Sequence, residues 1–318
     1  MSVFTHVEFS ELNLWLQKIG FSETIGSLVE LKGIAAGITN TNYFVTTKLR
    51  GKNNRFVLTI FEKNAFDELS YFVALMTHLA AHHVLCPIPI TNKNGIALAE
   101  LQAKPALLVS CLTGSDIEQP TEMHCGQVGR ALAEMHLAGH SFTTVSKNQR
   151  GADWRIATAE KVMDKLSSQD QNLLIKELAF QARLDLTGLP RGVIHGDLFR
   201  DNVLFDGNQL GGFIDFYYAC DDVLAYDVAI AVNDWCVLET GQFDELRLNA
   251  FMIAYNTVRP FNEIEQHAWR GLLRIAALRF WLSRLFDWHY PQAGELTHAK
   301  DPEHFKKILT TYMNSHPN

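Results

Sequence analysis

The stretch Val193–Phe216 constrains this chain more than any other. Two short apolar runs flank Asp206-Gly207-Asn208 there, which reads as a β-hairpin. Around it the pattern is helical. Val128, Ala131, Leu132 and Met135 mark one helix, and further helices are expected over roughly 153–184, 223–239, 244–257 and 264–288. A hairpin set among helices needs a reason, and its polar residues supply one.

The first part of the chain reads differently. Tyr43–Thr47 and Arg55–Phe61 are strand-like and are separated by the turn Gly51-Lys52-Asn53-Asn54. Phe66, Leu69, Phe72, Leu75, Met76 and Leu79 then recur at helical spacing. Asn92-Lys93-Asn94-Gly95 is a hairpin turn, followed by short strands through Cys111, and Leu112-Thr113-Gly114-Ser115 reads as a crossover. The expected class is therefore α+β, in two lobes: residues 1–112 with a small antiparallel sheet and one packed helix, and residues 113–318, mostly helical.

Composition narrows the function. The chain has 318 residues and carries 28 Lys+Arg against 35 Asp+Glu, a net charge of −7. That balance disfavours a nucleic-acid partner, which needs a basic face, but is compatible with one local phosphate cradle. No apolar run approaches the 18 residues of a membrane span. The five cysteines are scattered, with no zinc or redox spacing. No secretory leader is visible, so a soluble cytoplasmic protein is expected.

The hairpin segment runs His195-Gly196-Asp197-Leu198-Phe199-Arg200-Asp201-Asn202, through the turn, to Gly212-Phe213-Ile214-Asp215-Phe216. Counted from a midpoint between Asn208 and Gln209, Asn202 and Asp215 are symmetric and should face each other. Facing residues on paired strands lie roughly 5 Å apart. One Mg²⁺ with bonds of about 2.1 Å could bridge an Asn oxygen and an Asp carboxylate across that gap. Asp197, in the loop entering the hairpin, could accept a hydroxyl proton beside a metal-bound phosphate. The competing reading is a hairpin whose Asp and Asn residues merely serve turns and caps.

The run His195-Gly196-Asp197, Asn202 and Ile214-Asp215-Phe216 resembles the signature of the aminoglycoside phosphotransferase and choline kinase superfamily, which has the two-lobed protein-kinase-like fold. Asp197-Leu198-Phe199-Arg200-Asp201-Asn202-Val203-Leu204-Phe205-Asp206-Gly207, Phe56-Val57-Leu58-Thr59, Lys104-Pro105-Ala106-Leu107-Leu108 and Asn233-Asp234-Trp235-Cys236 resemble its homoserine kinases more specifically. The resemblance covers essentially the whole chain. It implies Asp197 as catalytic base, Asn202 and Asp215 as magnesium ligands, and ATP as donor. It further implies His195 as a brace of the loop and Asp227 as a structural support. Arg200 either counters phosphate charge or pairs with Asp201.

In that fold the turn after the first strand covers the nucleotide phosphates. The matching stretch holds Gly37, Thr39, Asn40, Thr41 and Asn42, poor in glycine beside a G-x-G-x-x-G loop. The lysine expected in the third strand is replaced by Thr59, and Glu68 stands where that lysine's partner would be. Ser110 and Leu112, in the strand before the crossover, would offer groups to adenine.

For an amino-acid acceptor, a cation must meet the carboxylate and an anion the ammonium. Asp234 shares a helix face with Asp227 and is a candidate for the ammonium, with a structural cap as the alternative. Arg279 projects from the apolar face of its helix and is either ion-paired or ligand-bound. Tyr217 and Trp235 would wall the pocket, unless they only fill the core. Phosphorylation of homoserine is the leading expectation. Asp221, Asp222 and the tyrosines keep an aminoglycoside or choline-like acceptor open, and Thr59 keeps open a nucleotide-binding module without catalysis.

Overall fold

The strand signals of the first part of the chain form one antiparallel sheet. The computed structural model describes residues 5–34, 40–291 and 300–314, and the chain divides into two units, Met1–Thr113 and Gly114–Asn318.

The first unit holds α1 (Phe9–Ile19), α2 (Ser22–Ile25), β1 (Ser27–Gly33), β2 (Thr41–Leu49), β3 (Lys52–Ile60), α3 (Phe66–Ala81), β4 (Leu98–Leu101) and β5 (Lys104–Ser110). The sheet order is β1-β2-β3-β5-β4, with every neighbouring pair antiparallel. Along β2, Thr41, Tyr43, Val45 and Thr47 are buried while the residues between them are not, the two-residue period of a strand with one covered face. Its cover comes from two helices the strand pattern gives no hint of. Leu12, Trp15, Leu16, Phe21 and Ile25 of α1, α2 and their link pack with Tyr43, Val45, Leu58, Ile60 and Leu108. The indole N–H of Trp15 donates to the Glu100 carbonyl at 2.6 Å, so its one polar atom is satisfied inside this core.

The second unit holds α4 (Glu122–Gly139), α5 (Ala152–Val162), α6 (Ser168–Gln181), β6 (Arg191–Ile194), β7 (Val203–Asp206), β8 (Gln209–Phe213), β9 (Cys220–Val223), α7 (Leu224–Trp235), α8 (Glu245–Val258), α9 (Glu263–His289) and α10 (Glu303–Asn314). The helix expected over 153–184 is two helices, parted by a 3₁₀ turn at Met163–Lys165. Ser167 starts the second by accepting the Asp170 amide at 3.2 Å. Every residue of α7 is buried. Among the described residues no helix is long and apolar enough to cross a membrane, and the five cysteines are free thiols.

Helices α4 and α8 approach so closely that only glycine fits at one contact. A Cβ on Gly129 would stand 2.4 Å from the Phe251 carbonyl oxygen, a backbone atom that cannot swing aside. Gly129→Ala is expected to destabilise the protein by about 1–3 kcal/mol through overpacking. Denaturant unfolding measures this, and an unchanged midpoint would show that the helices can part at no cost.

Candidate active site

The strands β7 and β8 form the expected hairpin, with a register one residue away from the symmetric count. Asp206 pairs with Gln209, so the turn is Gly207-Asn208, and Gly207 takes the positive φ of 57° that the turn needs. A β-bulge follows, because Phe205 pairs with Leu210 but Leu204 pairs with Gly212, leaving Gly211 as the extra residue. As a result Asn202 faces Ile214, whose amide donates to the Asn202 carbonyl at 2.9 Å. Asp215 lies one residue beyond the ladder, in the left-handed region at φ 62° and ψ 60°. The expected face-to-face pairing of Asn202 and Asp215 is thus corrected. An aspartate tolerates this backbone state better than most residues, at some cost, and such strain concentrates at functional sites.

The loop between β6 and β7 is held from beneath by Asp227 of α7, which is fully buried. Its two carboxylate oxygens accept the backbone amides of His195 at 2.7 Å and Gly196 at 2.8 Å. His136 of α4 donates to the same group through Nε2 at 3.0 Å. The chain of bonds continues from His136 Nδ1 to the Tyr255 hydroxyl at 2.8 Å and from there to Arg259 at 3.1 Å. Burial works against the Asp227 charge. The His136 hydrogen bond, the fields of both histidines and the Gly196 amide outweigh it and hold this carboxyl below its usual value. The His195 ring sits above, its Nε2 donating to the Ile214 carbonyl at 2.9 Å and its Nδ1 accepting the Asp197 amide at 3.3 Å. Both nitrogens are therefore used structurally, and His195 ties the loop to β8.

Three oxygen-bearing side chains then converge. The Asn202 amide group donates to the Asp197 carbonyl at 2.8 Å and to its carboxylate at 3.1 Å. Its carboxamide oxygen takes no hydrogen bond among the described residues. Burial pushes the Asp197 carboxyl up, and the charges of Arg279 and His195 pull it back. Asp215 keeps access to solvent, yet protein surrounds it closely enough that burial and the neighbouring Asp197 charge push it to about 7. Two carboxylates held near each other with a free carboxamide oxygen are a hard, oxygen-only donor set, which fits Mg²⁺. Among the described residues no three His, Cys, Asp or Glu side chains could hold a metal ion. A cation here would take its other ligands from water and substrate, as Mg²⁺ commonly does.

The phosphotransferase enzyme family matches residues 30–261. A homoserine kinase of Methylobacillus flagellatus is 54% identical over 309 residues, 97% of this chain and 94% of that protein. One from a Janthinobacterium species is 45% identical, with coverage of 97% and 95%. The chain belongs to the phosphotransferase enzyme family and, within it, to the homoserine kinases. In fold it is similar to an amicoumacin kinase at TM-score 0.68 and 13% identity, covering 96% of each chain. It is also similar to a choline kinase of Cryptosporidium parvum at TM-score 0.66 and 17% identity, covering 96% and 94%.

Several residues expected at the surface of this phosphotransferase's site are engaged in building it. Asp234 accepts the Arg200 amide at 2.8 Å and its guanidinium Nε at 3.1 Å, while Arg200 Nη1 donates to the Glu118 carbonyl at 2.6 Å. The carboxylate expected to meet an ammonium thus anchors the loop. Arg200 is bound to Asp234 rather than to Asp201, which pairs with Lys300. Trp235 is fully buried with its indole N–H on the Leu198 carbonyl at 3.2 Å, so it is core and not pocket wall. The amide of Tyr217 supports Asp215. Arg279 is buried and donates to the Gly196 carbonyl, one residue from Asp197.

Of the nucleotide candidates, Gly37 and Thr39 lie outside the described residues. Thr41 is buried and bridges the Thr5 amide at 3.0 Å to Glu62 at 2.6 Å. Asn40 accepts the Glu62 amide at 3.4 Å. Thr59 donates to Asn42, its register partner on β2, at 2.8 Å, so the lysine-free position is filled by a hydroxyl–amide pair. Glu68 caps α3, accepting the Ala65 amide at 3.3 Å. Ser110 is joined to Ile88 through both its amide and its hydroxyl, at 2.9 and 2.8 Å, and Leu112 follows it, half-buried. The Lys104–Glu62 ion pair beside Thr41 was invisible in sequence, its partners standing 42 positions apart.

The buried histidines give the protein a pH signature. Burial depresses both His136 and His195 below their ordinary value of 6.5. At these two positions the unfolded chain therefore binds protons that the folded one refuses, which lowers stability as pH drops through 6.5, while Asp197 and Asp215, raised by burial, take up protons first in the folded chain and offset part of that decline. Unfolding midpoints at pH 8 and pH 5.5 check this. A His136→Gln variant should show a shallower decline, and an unchanged slope would remove His136 as its source.

Proposed function

We propose that the chain transfers the γ-phosphoryl group of ATP to the side-chain hydroxyl of L-homoserine, giving O-phospho-L-homoserine in a step of threonine biosynthesis in the cytoplasm. One observation carries the reading: Asp197, Asn202 and Asp215 converge on a loop and hairpin braced by Asp227, in a chain 54% identical to a homoserine kinase along nearly its full length. Residues 1–112 serve as the nucleotide-binding lobe and 113–318 as the catalytic one.

Asp197 accepts the hydroxyl proton, and a carboxyl raised by burial is the better base for it. The Asn202 amide aims that carboxylate by binding one of its oxygens. His195 and Asp227 fix the loop backbone from which Asp197 projects. Asn202 and Asp215 would hold Mg²⁺, which supplies charge neutralisation of the phosphoryl oxygens.

An acceptor screen monitoring ADP release tests the proposal, with L-homoserine, choline and an aminoglycoside. Homoserine is expected to be turned over fastest. Preference for either of the others would reassign the acceptor, and ATP binding without ADP release for any acceptor would remove the kinase reading.

A further inference from the structure

Four arginines are among the buried residues, all in the second unit: Arg155, Arg259, Arg274 and Arg279. A buried guanidinium is costly unless an anion compensates it. Arg259 has Glu265 at 2.8 Å, and Arg274 has Glu177 at 2.5 Å. Arg155 and Arg279, 8% and 4% exposed, have no carboxylate within ion-pair distance among the described residues. Arg279 spends one N–H on the Gly196 carbonyl, and its Nε has no partner. A third unsatisfied group is the Tyr226 hydroxyl, buried and without a hydrogen bond.

These three groups belong together. Arg155 lies on α5 and Tyr226 on α7, and both helices pack against α9, which carries Arg279. The fields of Tyr226 and Arg279 both act on Arg155. The acids that also act on it are already engaged, Asp222 by Arg191 and Asn148 and Glu177 by Arg274. The cluster reaches solvent at Tyr218, 37% exposed, whose ring lies 5.7 Å from the Arg279 guanidinium. Through Gly196 it also adjoins Asp197. Two cations without an ion-pair partner among the described residues and a free hydroxyl, beside the proposed base, form a receptor for a small anion.

We propose that Arg155 and Arg279, with the hydroxyl of Tyr226, receive the α-carboxylate of the amino-acid acceptor and so select carboxylate-bearing alcohols. This rests on the homoserine kinase reading and adds the residues of specificity. The anion-free cluster is the signature of a site whose counter-charge arrives with the substrate. Arg155 touches none of the groups assigned to catalysis, so its role is specificity.

The test compares L-homoserine with homoserinol, which has a hydroxymethyl group in place of the carboxylate. The wild-type enzyme is expected to favour homoserine in kcat/KM by 100-fold or more. In Arg155→Met the KM for homoserine should rise about 10- to 100-fold, the loss of a charge-assisted hydrogen bond, and the preference should collapse toward unity. Arg155→Lys should recover part of it. Tyr226→Phe, which removes one oxygen and keeps the shape, should lower the preference even if Arg155→Met fails to fold. Equal use of both alcohols by the wild type overturns the inference and leaves the kinase reading standing. A rise in the KM for ATP, with that for homoserine unchanged, assigns the arginines to phosphate and also overturns it. Turnover of neither alcohol overturns the kinase reading and this inference with it.

Discussion

Asp197→Ala is expected to lower kcat with ATP and L-homoserine by about 10²- to 10⁴-fold, the usual worth of a positioned acid or base. ATP binding should persist. The loop should also keep its shape, because Asn202 still donates to the backbone carbonyl of residue 197, at 2.8 Å in the native protein. The loss would therefore be chemical. Single-turnover ADP release and ATP titration separate the two quantities. Wild-type turnover in the variant would show that Asp197 is not the base.

The largest expected loss of stability follows from Asp227→Ala. That carboxylate satisfies two backbone amides and one histidine, all without access to water. Removing it leaves three buried donors unpaired, and breaking a buried charged network in this way costs about 3–5 kcal/mol. Asp227→Asn should not rescue it, since a carboxamide turns an N–H₂ toward a donor that needs an acceptor. Denaturant unfolding at pH 7.5 reads both variants. A loss below about 1 kcal/mol in each would mean that the amides find other partners.

The sequence carried the chemistry further than the architecture. The order and spacing of Asp197, Asn202 and Asp215 were legible because a loop and a short hairpin lie close along the chain, where counting works. The count failed by one residue because the turn sits at Gly207-Asn208, one position before the assumed midpoint, and the bulge at Gly211 restores only half of the resulting shift. The break at Met163–Lys165 had a readable sign in Ser167 and Asp170, the residues of a new helix start. Helix α1 had none that outweighed the strand pattern after it. The sequence left Asp234 open between an ammonium contact and a cap because its partner Arg200 stands 34 positions away, and left Trp235 open between pocket wall and core because a helix buried on every side has no pocket-facing stripe. Arg155 went unnoticed for the converse reason. Nothing in a sequence distinguishes an arginine that has found a carboxylate from one still waiting for it.

The bulge at Gly211 also says where the length of this ribbon is free to drift. Substitutions along β8 change side chains only. An inserted or deleted residue between Gly212 and Asp215 changes which peptide unit meets Asn202 and turns Asp215 to the other side. The exposed tip at Gly207-Asn208 lies on the far side of the bulge. Insertions there lengthen the ribbon without moving the carboxylate. Tolerance of indels should therefore be sharply uneven over a dozen residues, permissive at the tip and absent next to the acid.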